Sequence, residues 1–368
     1  MENLGIRFGG GGSVGLSLLR YVWKASRRLR VTQATHNSMP TLYKRLKAAG
    51  VDTAYVKKNV LPSWWDDEDA SNPAAYSQAL ITISRNLAIP LSMLHTADEP
   101  IKCDAMPHTK FKRQAGTNES DIKWSHCVAT RAARLAAMAS ENSPLRPVGS
   151  AKDVREKING TNACVSLASL IDFCWDNGVP VLHVSNFPKN SKKMDGMATI
   201  IESRPVIVLS KNIKYSAWLL FILAHELGHL ASGHVKNGDA ILDEKVSVDG
   251  TKSDPEEIMA DRYAIELLTG NPATAYTAKR WLKATELANE AQRVGLVNRI
   301  DPGVVVLNYA HGAGHFPVGN AALNLLEPLA DAVGEVNRAM VARLDMDGIS
   351  DDHREFLCRV TNAKSGPQ

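Results

Sequence analysis

The chain reads as an α+β protein, mainly helical, with a small mixed sheet set against the helices that carry its chemistry. Three observations lead there. Short β-branched runs, Val179–Val184, Thr199–Ile201 and Pro205–Leu209, cluster in the middle of the sequence. They are followed at once by an apolar helix pattern over Tyr215–Leu230, which carries His225, Glu226 and His229. A second helix pattern, Glu256–Leu268, follows a polar loop and is acidic at its start.

With 368 residues and 44% hydrophobic content, the chain can bury a substantial core. The net charge of +4 is unevenly spread: 20 Lys/Arg against 12 Asp/Glu in 1–150, and 23 against 27 in 151–368. A basic N-terminal part hints at an acidic partner such as nucleic acid. The five cysteines form no C-x-x-C pair, which argues against a disulfide framework and a zinc finger and suits a reducing cytoplasm. His108, His126 and Cys127 near Cys103 match no zinc-module spacing. No apolar run reaches the 18 residues a membrane span requires.

Residues 1–37 read as a flexible leader, with Gly9–Gly12 in a row, and a basic helix over 14–30. Residues 38–97 read as short helices. One carries Leu42 and Leu46 and stops at Gly50; a second is capped by Asp52; a third opens at Asn72–Pro73 and runs through Leu87. Residues 98–149 are expected to be a linker with little regular structure, ending in a helix over Ala129–Ser140. Residues 150–270 hold helices over Lys152–Ile158 and Ser166–Asp176, the strands, a turn at Asp195–Gly196 and the two helices of the candidate site. Residues 271–368 are helical, with His311–His315 a glycine-containing loop.

The i, i+4 spacing of His225 and His229 puts both imidazoles on one helix face, within reach of one metal ion, with Glu226 placed to act as general base. Burying those groups in an apolar helix is costly without a partner, and a zinc ion is such a partner. Glu257 supplies the third ligand and Asp261, on the same face, an acceptor for the outer N–H of a ligand histidine. Glu256 competes for the ligand role but lies about 100° round the helix. Three ligands with an open fourth position describe a catalytic rather than a structural zinc. For oxyanion or substrate contacts the neighbourhood offers His234, Tyr263 and His183. The strand Pro205–Leu209 is either a free edge for an extended substrate or a strand buried between neighbours.

Residues 150–310 resemble the ImmA/IrrE family of metallopeptidases. The likeness rests on Asp153–Val154–Arg155, Gly178–Val179–Pro180–Val181, Asp195–Gly196, Pro205–Leu209, Ala224–His229, Glu257–Ala264 and, more weakly, Ile300–Val305. It implies a zincin-like, gluzincin-type domain: a zinc endopeptidase whose substrate is a cytoplasmic helix-turn-helix repressor or antitoxin. Residues 38–97 resemble an Xre-type helix-turn-helix unit through Trp64–Trp65, Asn72–Pro73 and Ile89–Pro90–Leu91. That likeness implies the alternative of a DNA-binding regulator or antitoxin, with DNA contacts from residues 14–97. Asp66, Asp67, Glu68 and Asp69 stand where base-reading side chains belong and would repel phosphate.

Overall fold

The computed structural model describes residues 38–96, 100–104, 109–112, 119–189, 191, 194–243 and 254–364. The expected helix over 14–30 and His108 lie outside them. Among the described residues, one continuous apolar core runs from Met39 to Val360.

Helix α1 (Met39–Ala48) buries Met39, Leu42, Tyr43 and Leu46. It ends before Gly50, whose φ of 102° suits a residue without a Cβ. The Asp52 carboxylate accepts from the Tyr55 amide at 3.0 Å and caps the turn Thr53–Tyr55, which continues as a π-helical turn to Val60. Helix α2 (Pro73–Leu87) starts as its Asn72 cap and N1 proline dictate. Between them the acidic run forms no recognition helix but a 3-10 turn, Asp67–Ser71. There the Asp67 carboxylate accepts from Tyr43 Oη at 2.6 Å and Trp65 Nε1 at 3.1 Å and pairs with Lys57.

The expected linker is more ordered than its polar composition suggests. It contributes strand β1 (Thr109–Lys112) and the start of helix α3 (Glu119–Met138). A disulfide joins Cys103 to Cys127, against the expectation of none; Cys164, Cys174 and Cys358 are free thiols. Helices α4 (Ala151–Thr161) and α5 (Leu167–Asp176) follow, capped by Ser150 and Ser166.

Strands β2 (Val181–His183), β3 (Gly196–Ile201), β4 (Arg204–Leu209) and β5 (Ala240–Asp243) complete a mixed sheet of order β1-β5-β3-β4-β2. Strand β3 runs antiparallel to β4 and β5, while β1 is parallel to β5 and β2 to β4. Two expectations change here. Asp195–Gly196 is not a turn, because Gly196 opens β3. Strand β4 lies between β3 and β2, so it has no free edge for a substrate.

Helix α6 (Ser216–Ala231) lies against the sheet, and helix α7 (Pro255–Thr269) lies against α6. Gly228 permits that approach: a Cβ there would stand 3.1 Å from the Ala260 Cα and carbonyl oxygen. Helices α8 (Ala284–Asn298), α9 (Pro302–Gly312), α10 (Phe316–Leu326), α11 (Ala332–Arg343) and α12 (Asp351–Thr361) form the C-terminal region. The expected loop at 311–315 is in fact the end of α9 and the junction to α10. Arg155 on α4 ties this region to the site helices. Its guanidinium donates to the carbonyls of Leu267 and Leu268 at 3.1 and 2.7 Å and of Asn298 and Arg299 at 3.2 and 2.8 Å. It thereby satisfies the orphan carbonyls that end α7 and α8.

Candidate metal centre

Helix α6 is apolar on nearly every face, so His225, Glu226 and His229 have no solvent to point at; each is 0% exposed. Helix α7 brings Glu257 to them at its third residue, after an Asp254 cap and Pro255. There the positive end of the helix favours a carboxylate. Glu256 turns away and pairs with Lys110 at 2.6 Å, which leaves Glu257 as the inward carboxylate. A fourth group enters from the sheet. Asp243, the last residue of β5, points its carboxylate at both histidines and is buried.

The donor atoms are spaced like the corners of a coordination polyhedron. His225 Nε2 lies 3.1 Å from His229 Nε2, 3.4 Å from Asp243 Oδ2 and 3.7 Å from Glu257 Oε2. His229 Nε2 lies 3.6 Å from Asp243 Oδ2 and 3.3 Å from Glu257 Oε1. A tetrahedron of metal–ligand bonds near ~2.0–2.1 Å has edges of about 3.3–3.4 Å. The donor set, two imidazoles and two carboxylates, could hold a metal ion.

The outer nitrogens fix which ring atoms face inward. His225 Nδ1 is 2.8 Å from Asp261 Oδ1, so Nδ1 donates outward and Nε2 is the ring atom that faces the cluster. His229 Nδ1 is 3.0 Å from His234 Nδ1, and the same tautomer follows if His229 donates. His234 therefore supports the outer side of the His229 ring. Tyr263 donates its hydroxyl to the Gly149 carbonyl at 3.2 Å and does not join the cluster. His183 shares a register row with Leu209, Gly196 and Asp243, three strand spacings or ~14 Å from Asp243. Its ring nitrogens are engaged by Ser185 Oγ and the Lys211 carbonyl at 3.1 and 3.0 Å. His183 therefore stands apart from the two histidines.

Glu226 lies over strand β3 at Gly196, where any Cβ would collide with its carboxylate. No N–H or O–H donor reaches either of its oxygens, nor either carboxylate oxygen of Asp243. Burial first, and then the charges of Asp243 and Glu257, push the Glu226 pKa well above the ordinary carboxylate range, with His225 opposing. For His225 burial alone would lower the pKa, but Asp243 and Asp261 outweigh it and raise it to about 10. Asp243 goes the other way: burial disfavours its charge, yet the two imidazoles hold its pKa far below the usual range. A buried pocket with three carboxylates, which raises the basicity of the imidazole facing it, asks for concentrated positive charge.

The sequence pattern gives His225, Glu226, His229, Glu257 and Asp261, and the structure brings all five together. Asp243 was missed because β5 was read as part of a polar loop. Its signal was present: the apolar run Ala240–Ile241–Leu242 after Gly238, ending on a carboxylate.

The fold and site together define a mixed α+β protein with a buried two-histidine, two-carboxylate centre suited to a metal ion. No protein-family model matches the chain, and no curated protein and no solved structure matches it either.

Proposed function

We propose that this chain is a zinc-dependent endopeptidase acting on a cytoplasmic protein partner, with a helix-turn-helix repressor or antitoxin as substrate class. The observation that carries the reading is the juxtaposition of four buried donor groups within 4.8 Å of one another and an additional buried carboxylate, Glu226, outside that set. The resemblance of residues 150–310 to the ImmA/IrrE family supports the substrate class, and among the described residues no helix is long and apolar enough to cross a membrane.

His225, His229 and Glu257 would hold the ion, which supplies Lewis acidity and acidifies water at that point. Asp261 and His234 keep the two imidazoles in the tautomer a ligand needs. Glu226 would take the proton of the attacking water and return it to the leaving amine. Exclusion of bulk water by α6, α7 and the sheet strengthens each of these interactions.

The test is Glu226→Gln. Zinc content by elemental analysis is expected to stay at the wild-type level, while cleavage of a helix-turn-helix repressor or antitoxin substrate falls by ~10²-fold or more. Unchanged cleavage would remove the peptidase reading.

A second reading, a DNA-binding regulator or antitoxin whose zincin-like domain acts as a sensor or docking platform, draws on the burial of all four donors. The acidic 3-10 turn at Asp67–Ser71 weighs against base readout by residues 38–97. A gel shift with operator DNA across salt concentrations checks it, since phosphate contacts give a steep salt slope.

A further inference from the structure

Hydrolysis at a zinc centre requires a position that a water or substrate oxygen can take. Here the fourth corner is filled. Asp243 Oδ2 stands 3.4 and 3.6 Å from the two histidine Nε2 atoms, on a par with the edges contributed by Glu257. The Glu226 carboxylate, the group that would activate the water, stands over Gly196, the residue directly opposite Asp243 across the sheet. Asp243 is thus flanked by the ligand histidines on one side and the general base on the other, the place an attacking water has to occupy.

The placement is built into the sheet rather than left to a loop. Strand β5 lies between β1 and β3, and Asp243 sits opposite Gly196 across β3. The Asp243 carbonyl accepts from the Asp195 amide at 2.8 Å, which fixes the backbone at that end of the strand. Gly196 leaves room for the Glu226 side chain above it, so one register row sets both Asp243 and Glu226.

We propose that Asp243 is a fourth protein ligand of the metal centre and closes it, so that the reacting position opens only when this carboxylate withdraws. The first half concerns metal coordination alone. The second half rests on the peptidase reading above.

Cobalt(II) with azide as a probe separates the two. In the wild-type protein loaded with cobalt, azide is expected to leave the visible d–d spectrum unchanged, because no ligand position is exchangeable. In Asp243→Ala azide should shift that spectrum, and zinc affinity in a competitive chelator titration should fall at least ~10-fold. Asp243→Asn, which preserves packing, should fall between them, and circular dichroism checks that both variants fold. An azide response in the wild-type protein, or an unchanged spectrum and affinity in Asp243→Ala, would overturn the ligand assignment. Peptide hydrolysis is then read in Asp243→Ala with and without Glu226→Gln. A rise over wild type that needs Glu226 supports closure of an active centre. Azide results as expected with no hydrolysis in any variant would keep Asp243 as ligand and sink the peptidase reading instead.

Discussion

Histidine is buried in two very different settings in this fold. His225 and His229 on α6 face Asp243 and Glu257, and the carboxylates around His225 push its pKa up to about 10 against the effect of burial. His126 on α3 is just as enclosed, at 3% exposed, but burial and the nearby charges of Arg134 and Lys123 push its pKa down to about 4. The residue type and degree of burial match, and only the sign of the neighbours differs. His126 is therefore a neutral core imidazole, whereas the α6 pair belongs to a place that calls for positive charge. Proximity of His126 to Cys103 and Cys127 does not make a second metal site, since those two sulfurs are bonded to each other.

The contrast is tested most strongly by taking the metal away. At free zinc ~1,000-fold above its dissociation constant the bound state is stabilised by about 4 kcal/mol. Chelation is expected to cost about that much in a urea titration at pH 7.5, and zinc in excess should restore it. The same treatment of His225→Ala should do little. A wild-type curve indifferent to chelator would place the α6 histidines in the same class as His126.

His126 itself should appear as acid sensitivity. Its folded-state pKa is depressed, so on acidification the unfolded chain takes the proton first, near 6.5, and the folded protein only near 4. Stability is full above about pH 6.5 and declines as the pH falls through that window, by up to about 3 kcal/mol for a shift of this size. His126→Gln should flatten that limb of the stability–pH profile between pH 6.5 and 4 in chelated protein. A profile that superimposes on the wild type's would mean the imidazole is not titrating as its surroundings dictate.

How far such settings are legible in sequence depends on whether the partners are local. The pair His225/His229 and the pair Glu257/Asp261 are each four residues apart on a helix, so periodicity alone places each pair on one face. Caps at Asp52, Asn72, Ser150 and Ser166 and the prolines at helix starts mark boundaries through local hydrogen bonding, and the helices begin where these signals stand. Strand β1 and strand β5 were not legible. Each is four residues long, and its pairing partner lies far away in sequence, so nothing local distinguishes it from a loop. Asp243 was lost with β5. The same holds for Cys103–Cys127, whose partners are 24 residues apart and share no motif.

The smallest effect expected concerns the group that makes His225 unlike His126 on its outer side. Asp261 Oδ1 sits 2.8 Å from His225 Nδ1, across the seam between α6 and α7. In Asp261→Asn the amide oxygen can still accept that N–H, so the tautomer and the helix packing survive, but the negative charge that raises the imidazole's basicity is gone. Loss of such outer partners typically lowers metal affinity ~10–100-fold, about 1.4–2.7 kcal/mol. Competitive chelator titration should show a loss in that range, and chelated wild-type and variant proteins should unfold at the same urea concentration. If instead zinc affinity holds and the chelated variant alone is destabilised, Asp261 serves the seam between the helices and not the metal. His225 would then owe its character to Asp243 and Glu257 only.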